Sequence, residues 1–268
     1  MTTQKEKVAA FNELHNSGET FIIANPWDAG SARMLQGLGF KALATTSAGF
    51  AQTLGRLDGQ VSLEEKLAHC RELCEVTDIP INADFENGFA DSPEACAENL
   101  IKAANCGLAG ASIEDYSGSE LYEFELAVDR IAACAEARSK LPYDFMLTAR
   151  AENLLRGVDD LDDTIKRLQA FEAAGADVLY APGLRNSEQI KTVLESVSKS
   201  LNVLSAFMPD MKLSEYAELG VCRVSIGGGL ANYIIAATIA ASEDMLANGS
   251  FEWMKDATPG ATISKLLS

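Results

Sequence analysis

Four times in this chain a helical stretch ends on a glycine and a short apolar segment begins almost at once. "MLQGLGFKALATTS" does so first, and "IKAANCGLAGASIED", "FEAAGADVLYAP" and "YAELGVCRVSIGG" repeat it. Gly39, Gly107, Gly175 and Gly220 each suit the position just past a helix C-terminus, where the backbone turns to positive φ. The segments that follow are too apolar to leave one side in water. They read as strands of a parallel sheet covered by helices.

Extending the pattern gives eight predicted strands: Phe21–Asn25, Ala42–Ser47, Ile79–Asp84, Gly110–Asp115, Phe145–Arg150, Val178–Pro182, Asn202–Ala206 and Cys222–Gly227. Between them lie helical segments, clearest in "SLEEKLAHCRELCEVT" and "LDDTIKRLQAFEAAG", where apolar residues recur at i, i+3, i+4 and i+7. Eight strands alternating with helices in 268 residues match an α/β fold, the (β/α)8 TIM barrel. A doubly wound open sheet is the alternative. No Pro- or Gly-rich linker divides the chain, so residues 1–268 read as one barrel domain. "GSFEWMKDATPGATISKLLS" follows as a helical C-terminal tail. "ANYIIAATIAA" reads as a buried helix, and no apolar run reaches the roughly 18 residues of a membrane span.

A net charge of −17 argues against nucleic acid and anionic membranes as partners, because phosphate contacts need clustered Lys and Arg. The six cysteines form no CxxC pair and mostly lie in apolar helical contexts, as buried thiols of a reducing compartment do. The N-terminal stretch lacks the apolar run of a signal peptide. The expected localisation is cytoplasmic.

The chemistry of such a barrel is decided by what its strands carry at their C-terminal ends. The first ends in "NPWDAGSAR", where Trp27 is a candidate for substrate contact. The second ends in "TTSAGF" and continues into "GRLDGQ" with Asp58. The third carries Asn82, Asp84 and Glu86, the fourth Glu114 and Asp115, the fifth Arg150 and Glu152. Absences narrow the choice. His15 and His69 fall in helical segments, which argues against a histidine-built zinc site. No Lys or Cys stands at a strand's C-terminal end, which argues against Schiff-base and thiolate chemistry. "GGG" at 227–229 fits close packing of the last strand on its helix better than a phosphate loop. What remains is oxygen, in Asp58, Asp84, Glu86 and Glu114, facing Arg150. Such a donor set suits a hard dication, most simply Mg²⁺. The plainer alternative pairs Asp84 and Glu86 with surface Lys or Arg.

"ATTSAG", "GRLDGQ", "INADFENGF", "ASIEDYSG" and "LTARAE", in this order and spacing, resemble the isocitrate lyase/phosphoenolpyruvate mutase superfamily. The resemblance runs from "IIANPWDAGSARML" to "RVSIGGGLANY". It implies a barrel whose last helix swaps between subunits in homodimers or homotetramers, with Mg²⁺ and small oxo- or hydroxy-acid ligands. By this resemblance Asp84 and Glu114 match metal-site carboxylates, and Asp58 an acidic residue that completes the site. Thr46, Ser47 and Ala48 match the segment that holds a substrate carboxylate, and Arg150 the arginine that clamps one. Asn82 stands where many members carry a third acid. The loop after the fourth strand, "EDYSGSELYEFE", departs from the family's lyases and phosphonomutases. It has no Cys, Lys or His, and Tyr116, Ser119 and Tyr122 are its only proton carriers.

The divergent pattern implies a subgroup that binds short 2-oxo acids. The expected function is a Mg²⁺-dependent carbon–carbon lyase or decarboxylase acting on an oxaloacetate-like acid through an enolate. Asp58, Glu114 and Arg150 would do the chemistry. Trp27, Thr46, Ser47, Ala48, Asn82 and Arg150 would bind substrate, and Asp84 and Glu114 the metal. A phosphonomutase or P–C bond hydrolase is one alternative. A non-catalytic 2-oxo-acid-binding protein is another.

Overall fold

The computed structural model describes residues 2–268. All eight predicted strands form, most of them shorter than the apolar segments suggested. They are β1 (Phe21–Ile23), β2 (Leu43–Ala44), β3 (Ile81–Asp84), β4 (Gly110–Glu114), β5 (Met146–Arg150), β6 (Val178–Tyr180), β7 (Ser200–Leu204) and β8 (Arg223–Ser225). The helices are α1 (Gln4–Asn16), α2 (Ala29–Gly37), α3 (Ser47–Thr53), α4 (Leu63–Val76), α5 (Pro93–Ala104) and α6 (Phe124–Arg138). They continue as α7 (Leu161–Ala173), α8 (Ser187–Ser196), α9 (Leu213–Leu219), α10 (Gly229–Asn248) and α11 (Gly260–Leu267).

Every strand pair is parallel, and the order is β1-β8-β7-β6-β5-β4-β3-β2. The ring closes between β1 and β2 on one bridge, Ala24 to Leu43. Asn25 reinforces this thin seam. Its Oδ1 accepts from the N–H groups of Ile226 (3.0 Å) and Gly227 (2.9 Å), and its Nδ2 donates to Thr45 O (3.0 Å). One buried amide thus ties the ends of β1, β2 and β8 together. The result is a (β/α)8 TIM barrel.

The glycine punctuation has its expected cause: Gly39, Gly107, Gly175 and Gly220 have φ of 100°, 99°, 106° and 90°. Helix starts are set by side chains. Thr3 with Glu6, Asp28 with Ser31 and Ser62 with Glu65 form capping boxes on α1, α2 and α4.

Along each strand successive side chains alternate between the helix layer and the barrel interior. Leu43, Ala83, Ile113, Leu147, Leu179 and Val203 join the core under the helices. Six of the alternate residues are polar, Asn82, Ser112, Thr148, Asn202, Arg223 and Ser225, and all are buried. The N-terminal end of the barrel is stoppered by α1, whose Val8 and Phe11 cluster with Ile23, Ala42, Ala109, Met146 and Val178. The polar interior is therefore closed below and open at the strands' C-terminal ends.

The tail corrects one expectation. "ANYIIAATIAA" lies in α10, but the helix is not buried within the chain. Ala231 is its only buried residue, and Tyr233, Ile234, Ile235 and Ile239 are exposed. Hydropathy registers that this helix is apolar all round, not what covers it. Beyond it α11 lies on α2, so close at Gly37 that an added Cβ would stand 2.7 Å from Leu266 O. None of the six cysteines forms a disulfide. Among the described residues no helix is long and apolar enough to cross a membrane.

Candidate active site

The ends of β3, β4 and β5 lie side by side, with Asp84 beside Ser112 and Glu114 beside Arg150 in register. Register places Asp84, Glu114 and Arg150 on one face, and the three converge. Arg150 Nη1 is 2.6 Å from Asp84 Oδ1, and its Nη2 is 3.2 Å from Glu114 Oε2. Nη2 and Nε donate to Glu152 Oε1 at 2.7 and 3.0 Å. Arg156 adds a second cation behind this cluster, 3.0 Å from Glu152 Oε2, with its guanidinium 3.8 Å above the Tyr116 ring.

The charges are strongly coupled by burial. Burial alone would weaken Arg150 as a base, yet Glu152, Glu114 and Asp84 outweigh it and hold the guanidinium well above its usual pKa. Burial also opposes the charge on Asp84, but Arg150, Lys66 and the Ser47 N–H pull its carboxyl below the ordinary value. Burial lifts Glu114 well above the carboxylate range, and Glu152 and Asp84 add to that against Arg150 and Arg156. Glu86 is raised to about 7, chiefly by burial. Its backbone is in the left-handed region, with φ 49°. Such strain persists only where the surroundings enforce it.

Asp84 and Arg150 border a cavity of about 150 Å³ in the barrel mouth. Of the residues singled out in the sequence, Asp58, Thr46, Ser47, Ala48, Asn82, Asp84 and Arg150 line it. Glu114 stands behind Arg150. Trp27 is not brought to this cavity. It lines an apolar groove with Met34, Ile263 and Leu266, and its carbonyl accepts from His69 Nε2 at 3.0 Å. Thr46 caps α3, and the Ser47 N–H is already engaged by Asp84 Oδ2 at 3.1 Å.

The donor set fits Mg²⁺ in an open manner. The Oδ1 of Asn82, on the same strand as Asp84, and the Oε1 of Glu86 are buried without a hydrogen-bond partner. Among the described residues no three His, Cys, Asp or Glu side chains group tightly enough to enclose an ion. An ion held by one or two protein oxygens, completed by water and substrate, is the arrangement Mg²⁺ prefers.

Residues 11–246 match the family model described as phosphoenolpyruvate phosphomutase. The chain belongs to this family. An oxaloacetate decarboxylase of Pseudomonas putida (strain GB-1) is 28% identical over 248 residues, covering 88% of this chain and 82% of its own. A solved structure from Burkholderia cenocepacia J2315, named only provisionally as a lyase/mutase, is 43% identical with a TM-score of 0.96, covering 99% of this chain and 96% of that one. A phosphonopyruvate hydrolase solved with oxalate and Mg²⁺ shares the fold at 22% identity and a TM-score of 0.86, with 99% and 95% covered. The superfamily resemblance read from the motifs is thus established, and with it an enzyme of a lyase and mutase family.

Within this family frame the loop after β4 is held by structure. The Tyr122 hydroxyl lies between Asn87 Nδ2 (3.0 Å) and Asp91 Oδ1 (2.5 Å), and its pKa is raised to about 12, mainly by burial. Tyr116 serves as the platform for Arg156. Ser119 shares a turn with Ser117. Asp115 points away from the cavity, accepting from Glu152 N (2.8 Å) and pairing with Arg167 (3.0 Å); burial raises it to about 6. Glu152, fully buried, is more central than its place beyond the strand suggested. Arg156 was signalled only by its spacing, four residues after Glu152. Lys66 carried no signal: it is one lysine on a helix, yet fully buried with its Nζ unpartnered.

Proposed function

We propose that this chain cleaves a carbon–carbon bond beside the carbonyl of a small 2-oxo acid. Loss of CO₂ from an oxaloacetate-like acid is the simplest case. The observation that carries the reading is Arg150, fixed by Asp84, Glu114 and Glu152 at the wall of a polar cavity. A guanidinium held on three sides loses little freedom on binding, and its planar fork suits a carboxylate. The Thr46–Ala48 segment faces the same cavity and would orient the acid from the other side. Asp84 and Asn82 would hold Mg²⁺, with Glu114 behind them. When bound, the ion supplies a Lewis acid for charge developing on the oxo and carboxylate oxygens. Asn82 in place of an acid leaves that site one negative charge poorer. Glu114 keeps Arg150 in position. Asp58, on an exposed loop over the cavity, is the group assigned to pass a proton between water and the enolate carbon left by CO₂.

The apolar, uncovered α10 supports a homodimer or homotetramer, and six free thiols fit a reducing cytoplasm. The test is release of pyruvate from oxaloacetate above the uncatalysed rate, with Mg²⁺ and with a chelator, and with phosphonopyruvate assayed in parallel. Mg²⁺-dependent release that disappears in Asp84→Ala supports the reading. Turnover of phosphonopyruvate alone would replace it with phosphonate chemistry.

A further inference from the structure

A second buried arginine shares this cavity and has no place in the chemistry above. Arg223 opens β8, is 3% exposed and lines the cavity together with Asn202, Ser112 and Ser225. Its Nε donates to Asn202 Oδ1 (2.9 Å), its Nη2 to Thr148 Oγ1 (3.0 Å), and its Nη1 reaches His15 Nε2 at 3.2 Å. The His15 Nδ1 bonds Phe11 O at 2.8 Å, which leaves Nε2 as the acceptor. Every partner is neutral. Among the described residues Arg223 forms no ion pair. Burial pulls its pKa down to about 10, so it stays cationic at neutral pH.

A buried cation without an anion costs several kcal/mol, and a neutral side chain could fill the same space. The cost is offset if an anion arrives with the ligand. Thr148, which Arg223 touches, is two residues below Arg150 on β5, a separation of ~6.6 Å along the strand. The two guanidinium groups thus reach one cavity from different levels of the barrel, as the two ends of a diacid would require.

We propose that Arg223 is a specificity-determining residue that receives the second carboxylate of a dianionic substrate, while Arg150 and the Thr46–Ala48 segment hold the first. This rests on the oxo-acid reading and narrows it: the enzyme selects four-carbon dianions over three-carbon monoanions.

The experiment is calorimetric titration, with Mg²⁺ present, of pyruvate (monoanion) and malate (dianion) into the wild type, Arg223→Met and Arg223→Lys. The wild type binds malate at least about tenfold more tightly than pyruvate, and Arg223→Met reduces that ratio by about tenfold or more. Arg223→Lys retains part of the preference. A purely structural Arg223 would weaken both acids alike, and an unchanged ratio in folded Arg223→Met overturns the proposal. If Arg223→Met does not fold, a wild-type ratio near one, or an unchanged ratio in Arg223→Lys, overturns it. If neither acid binds the wild type, the oxo-acid reading fails and the proposal with it. If both bind and only the ratio is insensitive, the oxo-acid reading stands alone.

Discussion

Arg150 and Arg223 line one cavity and are both nearly inaccessible, yet their surroundings are opposite. Arg150 meets three carboxylates, and Arg223 meets an amide, a hydroxyl and an imidazole. The difference separates two requirements that are often treated as one. Hydrogen-bond satisfaction needs acceptors, which both arginines have. Charge balance needs an anion, which only Arg150 has within the protein. The mouth is therefore locked by its own charges, while the deeper cation is left for a ligand to neutralise.

The largest effect should come from Arg150→Ala. It leaves fully buried Glu152 with Arg156 as its one remaining cation and takes the partner from Asp84, so the loss of turnover should be accompanied by destabilisation of ~3–5 kcal/mol, read from urea unfolding. Adding Glu152→Gln should restore stability and not turnover. A urea midpoint unmoved by Arg150→Ala would erase the contrast between the two sites. Arg223→Met should cost less than ~2 kcal/mol, because removing an uncompensated cation offsets the acceptors it leaves. A loss as large as that of Arg150→Ala would mean Arg223 is a structural keystone.

A pH series sharpens the comparison further. Burial, with a neighbouring cation, lowers His15 and His69 from 6.5 to about 3. Between these values the unfolded chain binds protons that the folded chain refuses, so these residues make stability fall as pH drops from 6.5 towards 3. Urea midpoints across that window should fall less steeply in His15→Gln, which removes the imidazole that would charge beside Arg223. A slope identical to wild type would show that His15 is not held neutral. The smallest effect belongs to Tyr122→Phe. Losing its hydroxyl contacts should cost ~1 kcal/mol and leave kcat unchanged. A large fall in kcat would make Tyr122 the loop's proton carrier.

Much of the site could be read along the chain because each strand announces its own end. The residues after Ile81 and Ile113 and before Ala151 leave the apolar pattern abruptly, and in a parallel barrel all such ends meet at one mouth. Lys66 and Arg223 escaped notice for different reasons. A lysine on an amphipathic helix is ordinarily solvated. Arg223 did interrupt the apolar eighth strand, in "CRVSIGG", and a charge inside a doubly covered strand is itself a signal.

The sequence alone determined the eight strands, the glycines that end the helices before them, and a mouth furnished with oxygen donors and no imidazole or thiolate. These follow from local conformational preference and from hydropathy, both written along the chain. Tertiary structure decided the rest. It set Arg150 at the meeting point of Asp84, Glu114 and Glu152, placed Trp27 in a groove away from the cavity, left Arg223 without an anion and α10 without a cover. Those depend on register between strands distant in sequence and on which surfaces meet. Hydropathy specifies what must be covered, and only packing specifies by what.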